Sequence, residues 1–152
     1  MVNNLGDDQT LIFAYLSKVK EGIVKESIAQ DRVATGRTIA SIQVRTGLSI
    51  GGTIEANASI LATERGTSPA EYSKMDLLTL ADALKEWASA KDLVFGNYYA
   101  LAQHLRGSGS KLWRKGGRSG VLSKPIDEKE LTDFTFKLSN IFLQQASSII
   151  FK

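Results

Sequence analysis

The chain lacks cysteine altogether, and it has only two prolines and one histidine among its 152 residues. Without cysteine there is no disulfide scaffold, no thiolate metal site and no cysteine nucleophile. The scarcity of proline argues against long linkers, and no apolar run approaches the ~18 residues that a membrane-spanning helix needs. Since 43% of the residues are hydrophobic and 23% are charged, we expect residues 1–152 to form a single domain with its own core.

Acidic residues are missing from one interval of the chain, although the formal net charge is only +3. No Asp or Glu lies between Asp92 and Asp127, whereas this interval contains six cationic residues: Arg106, Lys111, Arg114, Lys115, Arg118 and Lys124. A field of one sign favours contact with a polyanion or with an acidic protein face. The same composition is typical of a solvated loop, and composition alone leaves both interpretations open.

Four segments carry apolar residues at helical spacing: residues 9–30, 76–91, 97–107 and 125–147. Asp76 and Asn97 stand where capping residues are expected for the second and third helices. Gly107 occupies the position of a glycine that ends a helix, and Pro125 fits the first turn of the last helix. We therefore predict four main helices.

Between the first two predicted helices, apolar and polar residues alternate with the two-residue period of a β-strand. After a helical turn at residues 35–38, residues 39–46 alternate as a half-buried strand does. Residues 47–52 contain three glycines and predict a turn, and residues 53–58 predict the returning strand. Two strands alone are marginally stable, so this hairpin either packs on the helices or pairs with another chain. The candidate positions for pairing between subunits are Ile42, Val44, Thr53 and Ile54.

Together these elements predict an α+β domain in which a small, hairpin-based antiparallel sheet packs with about four α-helices. An extended glycine-rich basic arm, residues 107–124, is expected to lead into the C-terminal helix of residues 125–147. The first eight residues have neither the basic nor the apolar region of a signal peptide, from which we predict a protein made in a cytoplasm.

The sequence contains little that suggests catalysis. His104 is the single histidine and has no carboxylate three or four residues away, so a metal site there is not expected. The pairs Asp7–Asp8 and Asp127–Glu128 stand at predicted helix starts, where capping and the helix dipole explain them. Residues 107–111 resemble a phosphate loop only superficially, because the Gly-Lys-Ser/Thr ending is absent. We predict no enzyme, no catalytic residue, no cofactor and no metal.

The basic arm places one aromatic residue among cations and glycines, in the stretch GSKLWRKGGRSG of residues 109–120. Cations of this kind bind phosphates and an aromatic ring stacks on a base, which makes Trp113 a candidate contact beside the six cations. Trp113 is equally suited to anchoring the loop on the core. No recognised nucleic-acid fold pattern surrounds the arm, so we expect backbone contact without sequence reading.

Two motifs and the order of the elements resemble the tail-completion and head–tail connector (neck) proteins of tailed bacteriophages. Residues 34–44 (ATGRTIASIQV) resemble the segment that leads those proteins into their sheet. Residues 61–69 (LATERGTSP) are similar to the stretch after their hairpin, although the large aromatic residue that usually precedes its glutamate is missing. In the Bacteroides-phage type, a helix resembling residues 98–105 precedes a run similar to residues 109–120. The resemblance covers about residues 30–125.

The resemblance implies a virion component that is assembled in the host cytoplasm and forms a homo-oligomeric ring in the neck. Its expected partners are neighbouring portal, adaptor or tail proteins, and packaged DNA if the basic arm faces the passage; no membrane is involved. This architecture is physically compatible with a sheet that neighbouring hairpins share. It is also compatible with a contact between two different surfaces that repeats around an axis until the ring closes. The alternative is a non-specific nucleic-acid-binding module acting through residues 106–124.

Overall fold

The first helix of the protein follows its apolar periodicity. A computed structural model describes residues 6–33, 36–47 and 51–150. Helix α1 covers Asp7–Ala29, close to the predicted residues 9–30. It buries one face, made of Ile12, Val19, Ile23 and Ser27. The face is apolar except for Ser27, whose hydroxyl donates to the Ile23 carbonyl at 2.7 Å and is thereby satisfied in the interior.

The predicted hairpin is present, but its strands are shorter than expected. A helical turn, α2 (Arg37–Ala40), precedes β1 (Gln43–Thr46), and β2 (Gly52–Glu55) returns antiparallel to it. The expectation of a strand beginning at Ile39 was wrong, because Gly36 with φ 73° opens a helical turn that includes this residue. The predicted turn at residues 47–52 lies partly outside the described residues.

The segment after the hairpin is helical, although none of the four predicted helices covers it. Helix α3 covers Ser59–Arg65, and after a three-residue loop α4 covers Pro69–Ser73. The missed helix α4 begins with a capping box, in which the Ser68 side chain and Glu71 each bind the other's backbone N–H. Proline at the first helical position removes one donor that would have no partner.

Helices α5 (Leu77–Ala90) and α6 (Tyr98–Ser108) pack against each other. Both predicted caps are confirmed: Asp76 accepts from the Thr79 N–H at 2.9 Å, and Asn97 accepts from the Ala100 N–H at 3.0 Å. The predicted end of α6 at Gly107 was wrong. The helix continues to Ser108 and ends at Gly109, whose φ of 72° only glycine adopts without strain.

A short helix, α7 (Lys111–Arg114), and a long one, α8 (Glu128–Ile150), complete the chain. The prediction that α8 begins at Pro125 was wrong, since Asp127 caps it by accepting from the Lys129 and Glu130 N–H groups at 2.8 and 3.0 Å. Helix α8 packs along α1, where the rings of Tyr15 and Phe134 stack with centroids 4.3 Å apart.

The core lies where α1, the hairpin, α3 and the segment before α8 meet. Its buried members are Val19, Ile23, Ile42, Ile60 and Val121. Ile54 of β2 packs against these residues, so the small antiparallel sheet shares an apolar interior with α1 and α3. The order of helices around one antiparallel hairpin confirms the predicted α+β class. None of the described helices combines the length and the apolar character that crossing a membrane requires.

Candidate interaction surfaces

The basic segment, residues 106–124, is not the extended arm that the sequence predicted. Its first part is attached to the loop between α3 and α4. The Ser110 N–H donates to the Thr67 carbonyl at 2.9 Å, and the Ser110 hydroxyl oxygen accepts from the Thr67 N–H at 2.9 Å. The same oxygen accepts from the Trp113 N–H at 3.3 Å and so caps α7. A single serine therefore both starts the short helix and ties it to the body.

The second part of the basic segment is held by one carboxylate, that of Glu64 on α3. Its Oε2 accepts from the Ser119 hydroxyl at 3.0 Å and from the Leu122 N–H at 2.9 Å, and its Oε1 accepts from the Gly120 N–H at 3.3 Å. The Glu64 carbonyl also accepts from the Ser119 N–H at 2.8 Å. Hydrogen bonds to an ionised group are roughly twice as strong as neutral ones. Glu64 thus organises the turn that follows the cations.

Two further contacts complete this attachment. The Gln30 amide, at the end of α1, donates to the Ser119 carbonyl at 2.9 Å. Val121 is fully buried in the core. A chain segment with a buried apolar side chain and satisfied backbone groups does not project as an arm, which is the physical reason for the correction.

Two glycines permit the close approach of the basic segment to the body. Gly66 has φ 76°, and a Cβ on it would lie 2.4 Å from the backbone nitrogen of Trp113. Gly117 has φ 62°, and its Cβ would lie 2.6 Å from the Arg65 carbonyl oxygen. Any side chain at either position would collide with backbone atoms as well as strain the backbone. The glycines of this segment therefore serve tight packing rather than reach.

Four cations of the basic segment are exposed: Lys111, Arg114, Lys115 and Arg118. Within the described parts of the chain, none of these four side chains forms an ion pair or a hydrogen bond. Lys111 and Arg114 lie in α7 and Lys115 caps its end, whereas Arg118 follows the turn at Gly116 and Gly117, where φ is positive. The structure thus presents exposed positive charges on a segment whose backbone is held to the body.

The other two predicted cations already have partners. The Arg106 guanidinium donates to the Ser73 carbonyl at 3.4 Å, and Lys124 forms an ion pair with Glu26 on α1. Hydrogen bonds from Lys124 and from the Gln30 amide lower the pKa of Glu26. These two residues join the segment to the body and contribute less free charge than the other four.

The sequence suggested two roles for Trp113, contact with nucleic acid and anchoring of the loop. The structure shows features of both. Its ring lies over Gly109, where an added Cβ would be 2.8 Å from the ring atom Cε3. The side chain is nevertheless 42% exposed. Trp113 therefore helps to position α7 and leaves an aromatic edge beside the four cations.

The hairpin residues proposed for contacts between subunits divide into two groups. Ile42 is buried in the core, with 2% exposure, and it precedes β1 rather than belonging to it. Val44 and Ile54 are paired across the sheet and half-buried, and Thr53 is exposed. In the described residues each strand has one neighbour only, so each retains an edge without a strand partner.

No cluster of three or more His, Cys, Asp or Glu residues that suits a metal ion occurs in the described ranges. His104 is exposed on α6, and its Nε2 lies 3.1 Å from the hydroxyl oxygen of Ser108. Glu64 was the important residue that sequence reasoning missed. The only signal was its position inside the motif of residues 61–69.

No family model, no curated protein and no solved structure matches this chain.

Proposed function

We propose that the chain is a structural protein of a tailed-bacteriophage particle. Copies of it would form a ring in the head–tail connector, joining portal to tail and lining or sealing the DNA passage. The proposal starts from the resemblance of residues 34–44, 61–69, 98–105 and 109–120 to neck and tail-completion proteins. Its physical support comes from surfaces that stay exposed in the described part of a single chain.

The observation that carries the proposal is the two-stranded sheet. Both strands pack against α1, so the hairpin is stable within the chain, but an unpaired strand edge is a template for another chain. Here β1 and β2 have only each other as strand partners among the described residues. Addition of a neighbouring subunit's strand to such an edge supplies main-chain hydrogen bonds, and repetition of a head-to-tail contact closes a ring.

The accessible surface of the chain also favours assembly. A compact monomer of this mass exposes about 7,500 Å², whereas this chain exposes 10496 Å². Large apolar side chains contribute to it on several helices and turns: Leu78, Val94, Phe136 and Leu143 are all largely exposed. Phe136 and Leu143 are seven residues apart on α8 and so share one helix face, and exposed apolar groups that adjoin one another are typical of interaction surfaces.

The four exposed cations are suited to a position of the basic segment next to the DNA passage of the proposed ring. Packaged DNA presents a dense line of phosphates, which Lys111, Arg114, Lys115 and Arg118 would contact without reading sequence. Because Glu64 and Ser110 hold the segment to the body, the charges would meet DNA from a fixed wall rather than from a flexible tail.

Mass measurement tests the proposal in two preparations, the purified particles and the isolated protein. We expect peptides of this chain in purified particles, and a closed oligomer of defined copy number in solution or on a partner ring. A chain that is absent from particles would refute the proposed function, whatever its oligomeric state.

A non-specific nucleic-acid-binding module is the second candidate, and the unpaired state of the four exposed cations favours it. The double substitution Arg114→Ala with Lys115→Ala should then abolish retention on DNA at low salt, whereas Lys20→Ala with Lys25→Ala on α1 should not. Retention that is unchanged by the first pair rules this candidate out.

A further inference from the structure

Helix α8 has a second apolar side, which faces away from α1. On the side toward α1, Phe134 stacks on Tyr15. Phe136 and Leu143 lie about half a turn from Phe134 around the helix axis, and each of them is 65% exposed. In the described part of the chain, α1 therefore covers one apolar side of α8 and leaves the other in contact with solvent.

Large and small residues alternate along this outer stripe, which we define as Phe136, Ser139, Leu143 and Ala146. Phe136 and Leu143 are seven residues apart, and a small residue follows each of them after three positions. All four residues are exposed. The spacing is that of the a and d positions in two successive heptads, and it forms a seam as narrow as that between paired helices. The outer stripe therefore suits another helix.

A second copy of α8 that runs in the opposite direction offers a matching stripe. Reversal of one helix turns the order large, small, large, small into its complement, so each large residue meets a small one. Phe136 then faces Ala146 of the second copy, and Leu143 faces Ser139 of the second copy. The two-fold symmetry repeats both pairs and gives four layers of similar volume. Alternation of large and small residues across facing positions is what close packing between helices requires.

The charges favour the same antiparallel orientation. Residues 138–151 contain no charged side chain, so the second half of each helix is a neutral partner for the first half of the other. On the flanks of the seam, Asp133 comes beside Ser147 of the second copy, and Asn140 comes beside its own copy. A parallel pair would instead place Glu128 beside Asp133 of the second copy, which repel each other. It would also oppose large residues to large ones and small residues to small ones.

We propose that two copies of the chain pair through the outer stripes of α8 in antiparallel orientation. The occupant is a second copy because the stripe matches its own reverse in both size and charge. The seam covers residues 136–146, about 16 Å of helix, which is short for a stable dimer. We therefore expect a weak dimer with a dissociation constant of about 100 μM.

This contact joins the same surface of both copies, so it closes with two chains. The proposed ring needs a different contact, in which two unlike surfaces repeat from copy to copy. The inference thus goes beyond the proposed function and does not rest on it.

Oxidative cross-linking tests the orientation, because the chain has no cysteine of its own. Ser139→Cys and Leu143→Cys are made as separate variants, mixed at about 1 mM, roughly ten times the expected dissociation constant, and oxidised. A disulfide needs Cβ atoms ~3.5–4.5 Å apart, so the two variants should link to each other at least about tenfold faster than either links to itself. A parallel pair would link Ser139→Cys to its own copy, and faster formation of that homodimer overturns the proposal.

Ser89→Cys on α5 replaces Ser139→Cys in the control mixture, because Ser89 is also an exposed helical serine but lies outside the stripe. A mixed dimer of Ser139→Cys with Leu143→Cys that forms no faster than this control dimer also overturns the proposal.

Sedimentation tests the contact without cysteine chemistry. Leu143→Asp should weaken the dimer at least about tenfold, because pairing would bury a carboxylate without a partner. Leu78→Asp on α5 is the matched control, since Leu78 is 66% exposed and lies outside the stripe, and it should leave the dimer unchanged. Both variants should keep the circular dichroism spectrum of the original chain. Equal weakening by both, or an original chain that stays monomeric at the concentration used for cross-linking, contradicts the proposed dimer.

The outcome is separable from that of the proposed function. Rings that form while α8 stays unlinked would contradict the dimer alone. A dimer linked through α8, in a chain that purified particles lack, would contradict the proposed function alone.

Discussion

At the scale of single residues, Glu64 joins α3 to the distant basic segment. Its carboxylate binds donors of Ser119, Gly120 and Leu122, which lie more than 50 positions later in the chain. We expect Glu64→Gln to lower the free energy of unfolding by about 2 kcal/mol, because the amide replaces charge-assisted acceptors and adds a donor without a partner. In a chain of this size the melting temperature should fall by roughly 4–8 °C.

Thermal and denaturant unfolding measure this effect, with Glu55→Gln as the matched control. Glu55 forms an exposed ion pair with Arg45 at 2.8 Å, and such pairs contribute about 0–1 kcal/mol. If the two variants lose equal stability, the carboxylate of Glu64 does not organise the basic segment. Hydrogen exchange at the Gly120 and Leu122 amides should also accelerate in Glu64→Gln alone.

Glu71 in the capping box of α4 gives the chain a pH-dependent contribution to stability. Hydrogen bonds from the Ser68 backbone N–H and hydroxyl, at 2.8 and 2.9 Å, lower the pKa of Glu71 below its ordinary value of 4.5. A pKa lowered by folding means that the stabilisation is complete above pH 4.5. It is lost as the pH falls through the lower pKa of the folded state.

Unfolding measured from pH 7 to pH 3 tests this expectation. The free energy of unfolding of Glu71→Gln should lie below that of the original chain at pH 7, and the two curves should converge below pH 4.5, where the original chain becomes protonated. Curves that remain parallel over this range would show that the capping carboxylate contributes nothing through its charge.

At the scale of elements, the end of α6 distinguishes two neighbouring glycines. Gly107 is helical, and an added Cβ there meets nothing within 4 Å. Gly109 has φ 72°, and its Cβ would lie 2.8 Å from the Trp113 ring and 3.0 Å from Pro69. Gly107→Ala should therefore stabilise the chain by about 0.5–1 kcal/mol. Gly109→Ala should destabilise it by more than about 1 kcal/mol through strain and displacement of α7.

Denaturant midpoints of the two alanine variants measure this contrast, and each serves as the control for the other. Equal effects of the two substitutions would contradict Gly109 as the residue at which α6 ends. The pattern of residues 97–107 predicted the helix correctly, but not its last residue. Both glycines suit a helix end locally, and only the backbone dihedral and the contact with Trp113 distinguish them.

The short elements α2, α4 and α7 are of four or five residues, so periodicity has too little length to predict them. Each follows a residue that determines its start: Gly36 with a positive φ, Ser68 in a capping box, and Ser110 as a cap. Capping residues were recognised at Asp76 and Asn97, where a long apolar pattern followed. Before a short helix the same chemistry was not distinguishable from a turn.

At the scale of the whole molecule, the open strand edges predict that stability depends on concentration. Association stabilises the folded chain by mass action, by about 2.7 kcal/mol when the partner is at 100 times the dissociation constant. The unfolding midpoint should therefore rise by several degrees between about 1 μM and 1 mM protein. A constant midpoint over this range would contradict self-association of the isolated chain.

Thr53→Lys provides a variant that separates pairing of strand edges from other contacts. Thr53 is exposed in β2, and a charge at this position disfavours the addition of a strand. The variant should keep its midpoint at low concentration and show a smaller rise at high concentration. An undiminished rise would assign the association to other surfaces than the hairpin.

The sequence by itself determined the features that depend on near neighbours in the chain: helical and strand periods, the caps at Asp76 and Asn97, the α+β class and the uninterrupted positive charge between Asp92 and Asp127. Tertiary structure alone decided that the basic segment lies against the body, because Glu64 and Gln30 reach it from α3 and α1. Local patterns record the preferences of the backbone, whereas pairing between distant residues arises only when the whole chain buries its apolar surface together.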